Sequence, residues 1–275
     1  MHRSTLSWAL LAILGLTALG SAARLLVAED TLQRRASWQS KDAAEMARML
    51  RSSLDQLGVA PADMDQISDD FVGAIETHDA DPLSAYVDAT RDWVPVIDEL
   101  AKMSERDLVS AGASLDPDTP RYGALESLPK SMRMSVRTWL GRELVRQRFY
   151  DEALPVIAEV DPSESLDPAA SLFYRGACYH ALLMKKEALA DLRQLLENKD
   201  DCPIRFARTA QMMVADIKPL KEDSLDEISR IMTDVTRRLD LGRTDEEVKL
   251  REQQIIDKLT KLIDKLEEQQ QQQQQ

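Results

Sequence analysis

The stretch "LGRELVRQRFYDEALPVI" at residues 140–157 is matched in pattern by "RGACYHALLMKKEALADL" at residues 175–192. Gly141 in the first copy corresponds to Gly176 in the second, at an offset of 35 positions. A period of this length is typical of helical hairpins, which stack because one hairpin alone cannot bury its apolar face. The pattern therefore predicts an all-α protein built on helical hairpin repeats.

Alanine and larger apolar residues complete the pattern in each copy. Ala153 corresponds to Ala188 at the same offset, and each lies 12 positions after its glycine. Ile157 and Leu192 also correspond. Glycine on a first helix and alanine on a second predict that the two helices approach closely, with Ile or Leu filling the contact.

These residues resemble the tetratricopeptide repeat family, whose pattern places Leu-Gly and Tyr on a first helix and Ala on a second. The matching residues are Leu140, Gly141 and Ala153 in the first copy, and Gly176, Tyr179 and Ala188 in the second. The resemblance covers residues 130–218, which end in a capping helix opened by Pro203. It departs from the family pattern because neither copy has glycine between its two helices. The resemblance implies a solenoid whose first helices line a concave, peptide-binding face.

The resemblance also implies which side chains line this concave face. They are Ser135, Thr138, Arg142 and Arg146 on the first copy, Phe173, Ala177 and His180 on the second, and Arg205 and Arg208 on the capping helix. Four arginines on one face could bind carboxylates of a protein or peptide partner in bidentate fashion. The alternative is that they are solvated charges on ordinary helix faces.

Most of the net charge of −13 lies in one part of the chain, because residues 41–120 hold 18 acidic and 6 basic side chains. An acidic chain without a basic stripe argues against nucleic acid as a partner. We predict an acidic helical segment over 30–111, with helix starts at Pro61 and Pro82. Prolines and glycines predict a linker over 112–129.

The first 23 residues have the features of an export signal. Arg3 precedes the apolar run "LSWALLAILGLTALG" at 6–20, and "SAA" at 21–23 is typical of a signal-peptidase site. The prediction is a signal peptide over 1–23 and a location in the periplasm or cell envelope. The alternative is an uncleaved anchor that tethers the chain to the cytoplasmic membrane.

The C-terminal part, 219–268, predicts a helical hairpin or short coiled coil. Ser224 and Thr244 each begin a capping-box pattern, and Gly242 lies where a helix is expected to end. The second helix carries an apolar stripe at Val248, Ile255, Leu259, Leu262 and Leu266. This hairpin either packs on the repeats or pairs with another chain. The glutamine run at 269–275 is predicted to be a disordered tail.

Cys178 and His180 are the residues that most invite a catalytic interpretation, but they lie two positions apart on a predicted helix. Such residues point about 200° away from each other, so they do not form a site by themselves. Cys178 is expected to lie roughly 13 Å further along the helix axis than Cys202. Because the Cα atoms of bridged cysteines are less than about 7 Å apart, this separation disfavours a disulfide between them. The sequence therefore predicts a buried thiol, and no metal or cofactor.

We predict a non-enzymatic, exported scaffold that binds a partner protein through the concave face of its repeats. The alternative is a membrane-tethered spacer that self-associates through its C-terminal helices. A hydrolase or thiol enzyme based on Cys178 is the third and least favoured class.

Overall fold

Local capping signals set where the N-terminal helices begin. The side chains of Asp42 and Asp81 accept hydrogen bonds from the backbone N–H groups of Glu45 and Ser84. The predicted starts at Pro61 and Pro82 are confirmed. In a computed structural model that describes residues 36–78 and 80–273, thirteen helices follow one another: α1 (Ala43–Gln56), α2 (Pro61–His78), α3 (Pro82–Thr90), α4 (Pro95–Arg106), α5 (Leu108–Ala113), α6 (Pro120–Glu126), α7 (Lys130–Arg146), α8 (Tyr150–Ile157), α9 (Pro168–Ala181), α10 (Lys185–Leu196), α11 (Ile204–Ile217), α12 (Leu225–Asp240) and α13 (Glu246–Gln273).

The all-α prediction is confirmed, since the described ranges contain helices and no strand. The predicted export signal over 1–23 lies outside the described residues. So do the first six residues of the predicted acidic segment. No helix in the described part of the chain combines the length and the apolar character needed to cross a membrane.

Glycine allows close packing inside two successive helical hairpins, α7 with α8 and α9 with α10. A Cβ atom added at Gly141 would lie 2.9 Å from the Cβ atom of Ile157, and one added at Gly176 would lie 2.8 Å from Cδ2 of Leu192. Both alanines of the pattern, Ala153 and Ala188, are fully buried. The predicted close approach of paired helices is confirmed at both copies.

The turns inside the two hairpins have the same backbone geometry. Arg148 and Leu183, 35 positions apart, adopt positive φ angles of 65° and 61°. In each turn the following residue donates to a carbonyl five positions back, at 2.9 Å, from Phe149 to Leu144 and from Met184 to Tyr179. These are Schellman-type ends. Non-glycine residues therefore take the left-handed position that glycine usually fills between such helices.

Helices α7, α9 and α11 lie side by side and run in the same direction. The rings of Phe173 on α9 and Phe206 on α11 stack at 4.3 Å, and further along both helices His180 Nε2 lies 2.8 Å from Asp216 Oδ2. In the middle of α7, Thr138 Oγ1 lies 3.0 Å from Ser171 Oγ of α9. The first helices of the two hairpins and the capping helix α11 thus form one layer.

The N-terminal helices pack directly on α7, and the segment between them does not act as a separate linker. A Cβ atom at Gly112 would lie 3.1 Å from Leu144 Cδ1. Within 112–129, α6 is formed and three leucines are buried: Leu115, Leu125 and Leu128. The linker prediction therefore needs correction. Prolines and glycines break the helices there. The leucines between them nevertheless belong to the hydrophobic core of the unit that begins at Trp38.

The C-terminal hairpin consists of α12 and α13. The capping box at Ser224 is confirmed, because its side chain accepts from Glu227 N. At the second start Asp245, one residue after the predicted Thr244, caps α13 by accepting from Val248 N. Gly242 has the predicted positive φ, 74°. The glutamine run was predicted to be disordered, but α13 continues to Gln273, because glutamine is a good helix former that extends an existing helix easily.

Candidate functional site

Three side chains assigned to the concave face from α7 are buried. Ser135, Thr138 and Arg142 are at most 1% exposed. Thr138 Oγ1 lies 3.1 Å from Ser165 Oγ, and Ser135 Oγ accepts a hydrogen bond from Leu166 N. These contacts leave no room for a partner, so this part of the predicted groove is not open. The assignment of these three residues to a binding groove needs correction.

Arg142 is buried because the N-terminal helices supply its partners. Its guanidinium donates to the Asp81 carboxylate and, at 2.8 Å, to Ser84 Oγ, both at the start of α3. It also donates to Glu143 Oε1 at 2.9 Å. Burial raises the pKa of Asp81, but the charge and hydrogen bond of Arg142 outweigh that effect and leave this pKa below its ordinary value. A segment of the chain itself therefore satisfies the arginine that was predicted to bind a partner.

The remaining predicted arginines surround a group of aromatic rings, which we call the arginine–aromatic strip. Its members are Arg146 on α7, Phe173 and Tyr174 on α9, and Arg205, Phe206 and Arg208 on α11. The Phe173 and Phe206 rings are stacked, and Tyr174 meets Phe206 edge to face with centroids 5.6 Å apart.

Arginines lie at both ends of this aromatic group. The guanidinium carbon of Arg146 is 5.9 Å from the centre of the Tyr174 ring, and that of Arg205 is 5.1 Å from the centre of Phe206. Such distances are typical of cation–π contacts. Tyr174 and Phe206 are buried and Phe173 is half-buried, so the rings form a fixed surface on which the guanidinium groups lie.

Two arginines of the strip are free to bind a carboxylate. Arg205 and Arg208 are exposed, and neither forms an ion pair with a described residue. Arg146 is partly engaged, by Glu143 at 3.4 Å. The α11 surface beside them also exposes apolar side chains, since Ile204 and Met212 are 67% and 72% exposed. The strip therefore combines unpaired positive charge with accessible apolar surface.

Two other predicted groove residues are occupied by contacts within the chain. Ala177 is buried, and His180 Nε2 lies 2.8 Å from Asp216 Oδ2. Asp216 also accepts from Arg230 Nη1 at 2.5 Å, and this hydrogen bond is the main reason why the pKa of Asp216 is lowered. His180 therefore lies beside α12, two helical turns from Phe173, and contributes to a cleft of about 240 Å³ rather than to the strip.

The cysteines are buried and unpaired. Cys178 Sγ donates to the carbonyl of Tyr150 at 3.2 Å, and burial raises its pKa to about 12, so it remains a thiol at neutral pH. Cys202 Sγ donates to the carbonyl of Lys199. Cys178 and His180 point to different surroundings, as their spacing predicts. Within the described residues, no group of three or more His, Cys, Asp or Glu side chains is placed to hold a metal ion.

Sequence reasoning missed four residues of this surface: Tyr174, Phe206, Ile204 and Met212. A signal was present, since Phe173 and Phe206 lie 33 positions apart, close to the repeat period. Ile204, Arg208 and Met212 recur every four residues, which places them on one face of α11. That this face is exposed follows only from the packing of α11 at the edge of the helical layer.

Comparison with known proteins adds no relative from which a role could be transferred. No protein-family model, no curated protein and no solved structure matches this chain. The functional conclusion therefore has to come from the chemistry of the exposed surface.

Proposed function

We propose that this chain is a non-enzymatic scaffold that binds an acidic segment of a partner protein through the arginine–aromatic strip. The observation that carries the proposal is the exposed pair Arg205 and Arg208, which lacks carboxylate partners among the described residues and adjoins exposed apolar side chains.

The chemistry of the strip fits this partner. A guanidinium offers a planar fork that binds a carboxylate through two hydrogen bonds, and its geometry is more specific than that of an ammonium group. Ile204 and Met212 offer surface for apolar side chains between the acidic residues of the partner. Methionine adapts to partners of different shape. We expect binding that weakens as the salt concentration rises, because the charges are exposed.

The repeat geometry supports a TPR-like arrangement as part of the same proposal. The glycine contacts and the left-handed turn residues recur 35 positions apart, and α7, α9 and α11 run in one layer. In such an arrangement the binding surface is rigid, so a partner binds without the cost of ordering the scaffold. The proposed location, outside the cytoplasm, depends on the signal-like residues 1–23 alone.

A site-specific crosslinking experiment tests this function. A photoreactive residue in place of Met212 should capture one discrete protein in cells of the source organism. Adding Arg205→Glu and Arg208→Glu should abolish that adduct, because carboxylates of the partner would then face like charges. The matched control is Arg193→Glu on α10, an exposed arginine outside the strip, which should leave the adduct unchanged.

Two outcomes would argue against the proposal. One is an adduct at Met212 that survives reversal of both arginines. The other is the same set of adducts from a photoreactive residue at Glu187, which is exposed on α10 away from the strip.

A further inference from the structure

Helix α13 uses one face to pack on α12. Val248 is buried in that contact, and Lys258 Nζ donates to Asp223 Oδ1 and Glu227 Oε2, both at 2.8 Å. Ile255 and Leu262 are half-buried on the same side. This face accounts for part of the apolar stripe that the sequence shows, and it leaves the rest without a partner.

A second face of α13 carries four exposed apolar side chains, which we call the α13 stripe. Ile256, Leu259, Ile263 and Leu266 are 56%, 37%, 54% and 59% exposed. Their spacing of three, four and three residues is that of the a and d positions of a heptad, with isoleucine at a and leucine at d. This choice of residues favours two parallel strands in a coiled coil.

We propose that the α13 stripe pairs with the same stripe of a second copy of this chain, in parallel and in register. Position a of one helix then meets position a of the other, so isoleucine packs beside isoleucine and leucine beside leucine. The stripe is self-complementary in this register. An antiparallel pair would bring isoleucine opposite leucine and lose this match.

The charges next to the stripe are compatible with parallel pairing. The flanking e positions are Gln253, Thr260 and Glu267, and the flanking g positions are Ile255, Leu262 and Gln269. In a parallel pair these positions face each other across the seam, and only Glu267 among them is charged. The other charged residues between Ile256 and Leu266, such as Asp257 and Lys261, lie at outer positions. Within the stripe no pair of like charges is therefore brought together. Glu252 holds the preceding d position, so the seam ends before it.

The contact is small, so we expect it to be weak and reversible. The stripe covers about one and a half heptads, or roughly 15 Å of helix, whereas stable protein interfaces bury about 800 Å² on each partner. The paired fraction of the protein therefore becomes substantial only where the local concentration of the chain is high. This surface is separate from the arginine–aromatic strip, so either proposal can fail without the other.

Cysteine crosslinking of the full chain tests the pairing and its direction. Leu259→Cys places a thiol at a d position, where the two copies of a parallel pair lie close enough for a disulfide. Asp257→Cys places a thiol at an outer position of the same helix and is the matched control. Under mild oxidation we expect at least ten times more covalent dimer from Leu259→Cys. The native Cys178 and Cys202 are buried and contribute little.

Further variants separate specific pairing from collision. Adding Ile263→Lys to Leu259→Cys should remove most of the dimer, whereas adding Lys265→Glu, at an outer exposed position, should leave it intact. Equal crosslinking of Leu259→Cys and Asp257→Cys would overturn the proposal, as would no crosslinking of either. Preferential crosslinking between Ile256→Cys and Leu266→Cys chains in a mixture would overturn the parallel direction.

Discussion

At the residue scale, two glycines hold the hairpins together, and the sequence identified both. Gly141 meets the Cβ atom of Ile157, which the backbone fixes in place, whereas Gly176 meets the outer atoms of Leu192. A leucine side chain can rotate away more easily than a Cβ atom can move. The two positions are therefore equivalent in the repeat but differ in how much added volume they tolerate.

We predict that Gly141→Ala lowers the free energy of unfolding by about 3 kcal/mol and Gly176→Ala by about 1 kcal/mol, because extra carbon in a packed core forces neighbouring atoms to move. Urea unfolding followed by circular dichroism measures both values. Gly123 in α6 is the control, since nothing lies within 4 Å of an added Cβ atom there. Gly123→Ala should stabilise the protein by roughly 0.5 to 1 kcal/mol. Equal losses at all three positions would contradict the proposed role of the contacts.

Charged residues were harder to place from sequence than glycines. Arg137, Arg142 and Arg238 are among the largest fully buried side chains. A helical pattern places them on polar faces, and charged side chains are seldom fully buried unless they are paired. Besides a local carboxylate, two of them bind one that is distant in sequence: Asp81 lies 61 positions before Arg142, and Asp151 lies 87 positions before Arg238. Local spacing cannot encode such pairs.

At the element scale, a network of ion pairs attaches α12 to α8, the second helix of the first hairpin. Arg237 and Arg238 are nearly fully buried, and each binds both Asp234 on its own helix and Asp151 on α8. Arg237 also donates to the carbonyl of Arg148 at 2.9 Å. The capping pattern predicted that α12 exists, but the apolar spacing did not show that its inward face is ionic. The C-terminal hairpin is therefore held by charge as well as by packing.

This network predicts a loss of stability in acid. Burial raises the pKa of Asp234, but the hydrogen bonds and charges of Arg237 and Arg238 outweigh it and leave the pKa below its ordinary value of 3.8. A carboxylate with a lowered pKa in the folded state stabilises fully above its unfolded pKa, and that contribution is lost as the pH falls through the folded pKa. We expect the free energy of unfolding to decline steeply below about pH 4.

Asp234→Asn tests this link between charge and stability. It should cost about 3 kcal/mol at pH 7, because two buried arginines lose a counter-charge. The same variant should also show a shallower decline of the unfolding free energy between about pH 5 and pH 2 than the parent. Asp69→Asn, at an exposed residue that forms no ion pair with described residues, is the control and should follow the parent curve. Parallel curves for Asp234→Asn and the parent would show that this carboxylate does not carry the acid sensitivity.

At the scale of the whole molecule, the N-terminal helices and the hairpins form one unit. Trp38 donates from Nε1 to the carbonyl of Gln194 at 2.8 Å, and Lys41 Nζ donates to the carbonyl of Ser165 at 2.5 Å. These contacts join the start of the unit to the segments around α9 and α10. The repeat pattern predicted the hairpins from residues close in sequence. It could not predict that an acidic segment before them would cover α7, because that depends on contacts such as the one between Asp81 and Arg142, which are 61 positions apart.

Cooperative unfolding is the test of this single unit. In a chain with Trp8→Phe and Trp93→Phe, the remaining tryptophans are Trp38, next to α10, and Trp139 on α7, both buried. If all parts share one core, the fluorescence of these residues and the helical circular dichroism signal should change at the same urea concentration. Adding Asp81→Asn, which removes the counter-charge of Arg142, should lower both midpoints together, with a loss of about 3 kcal/mol. If 112–129 instead joined two independent domains, this variant would shift only part of the circular dichroism transition, and the midpoints from the two signals would separate.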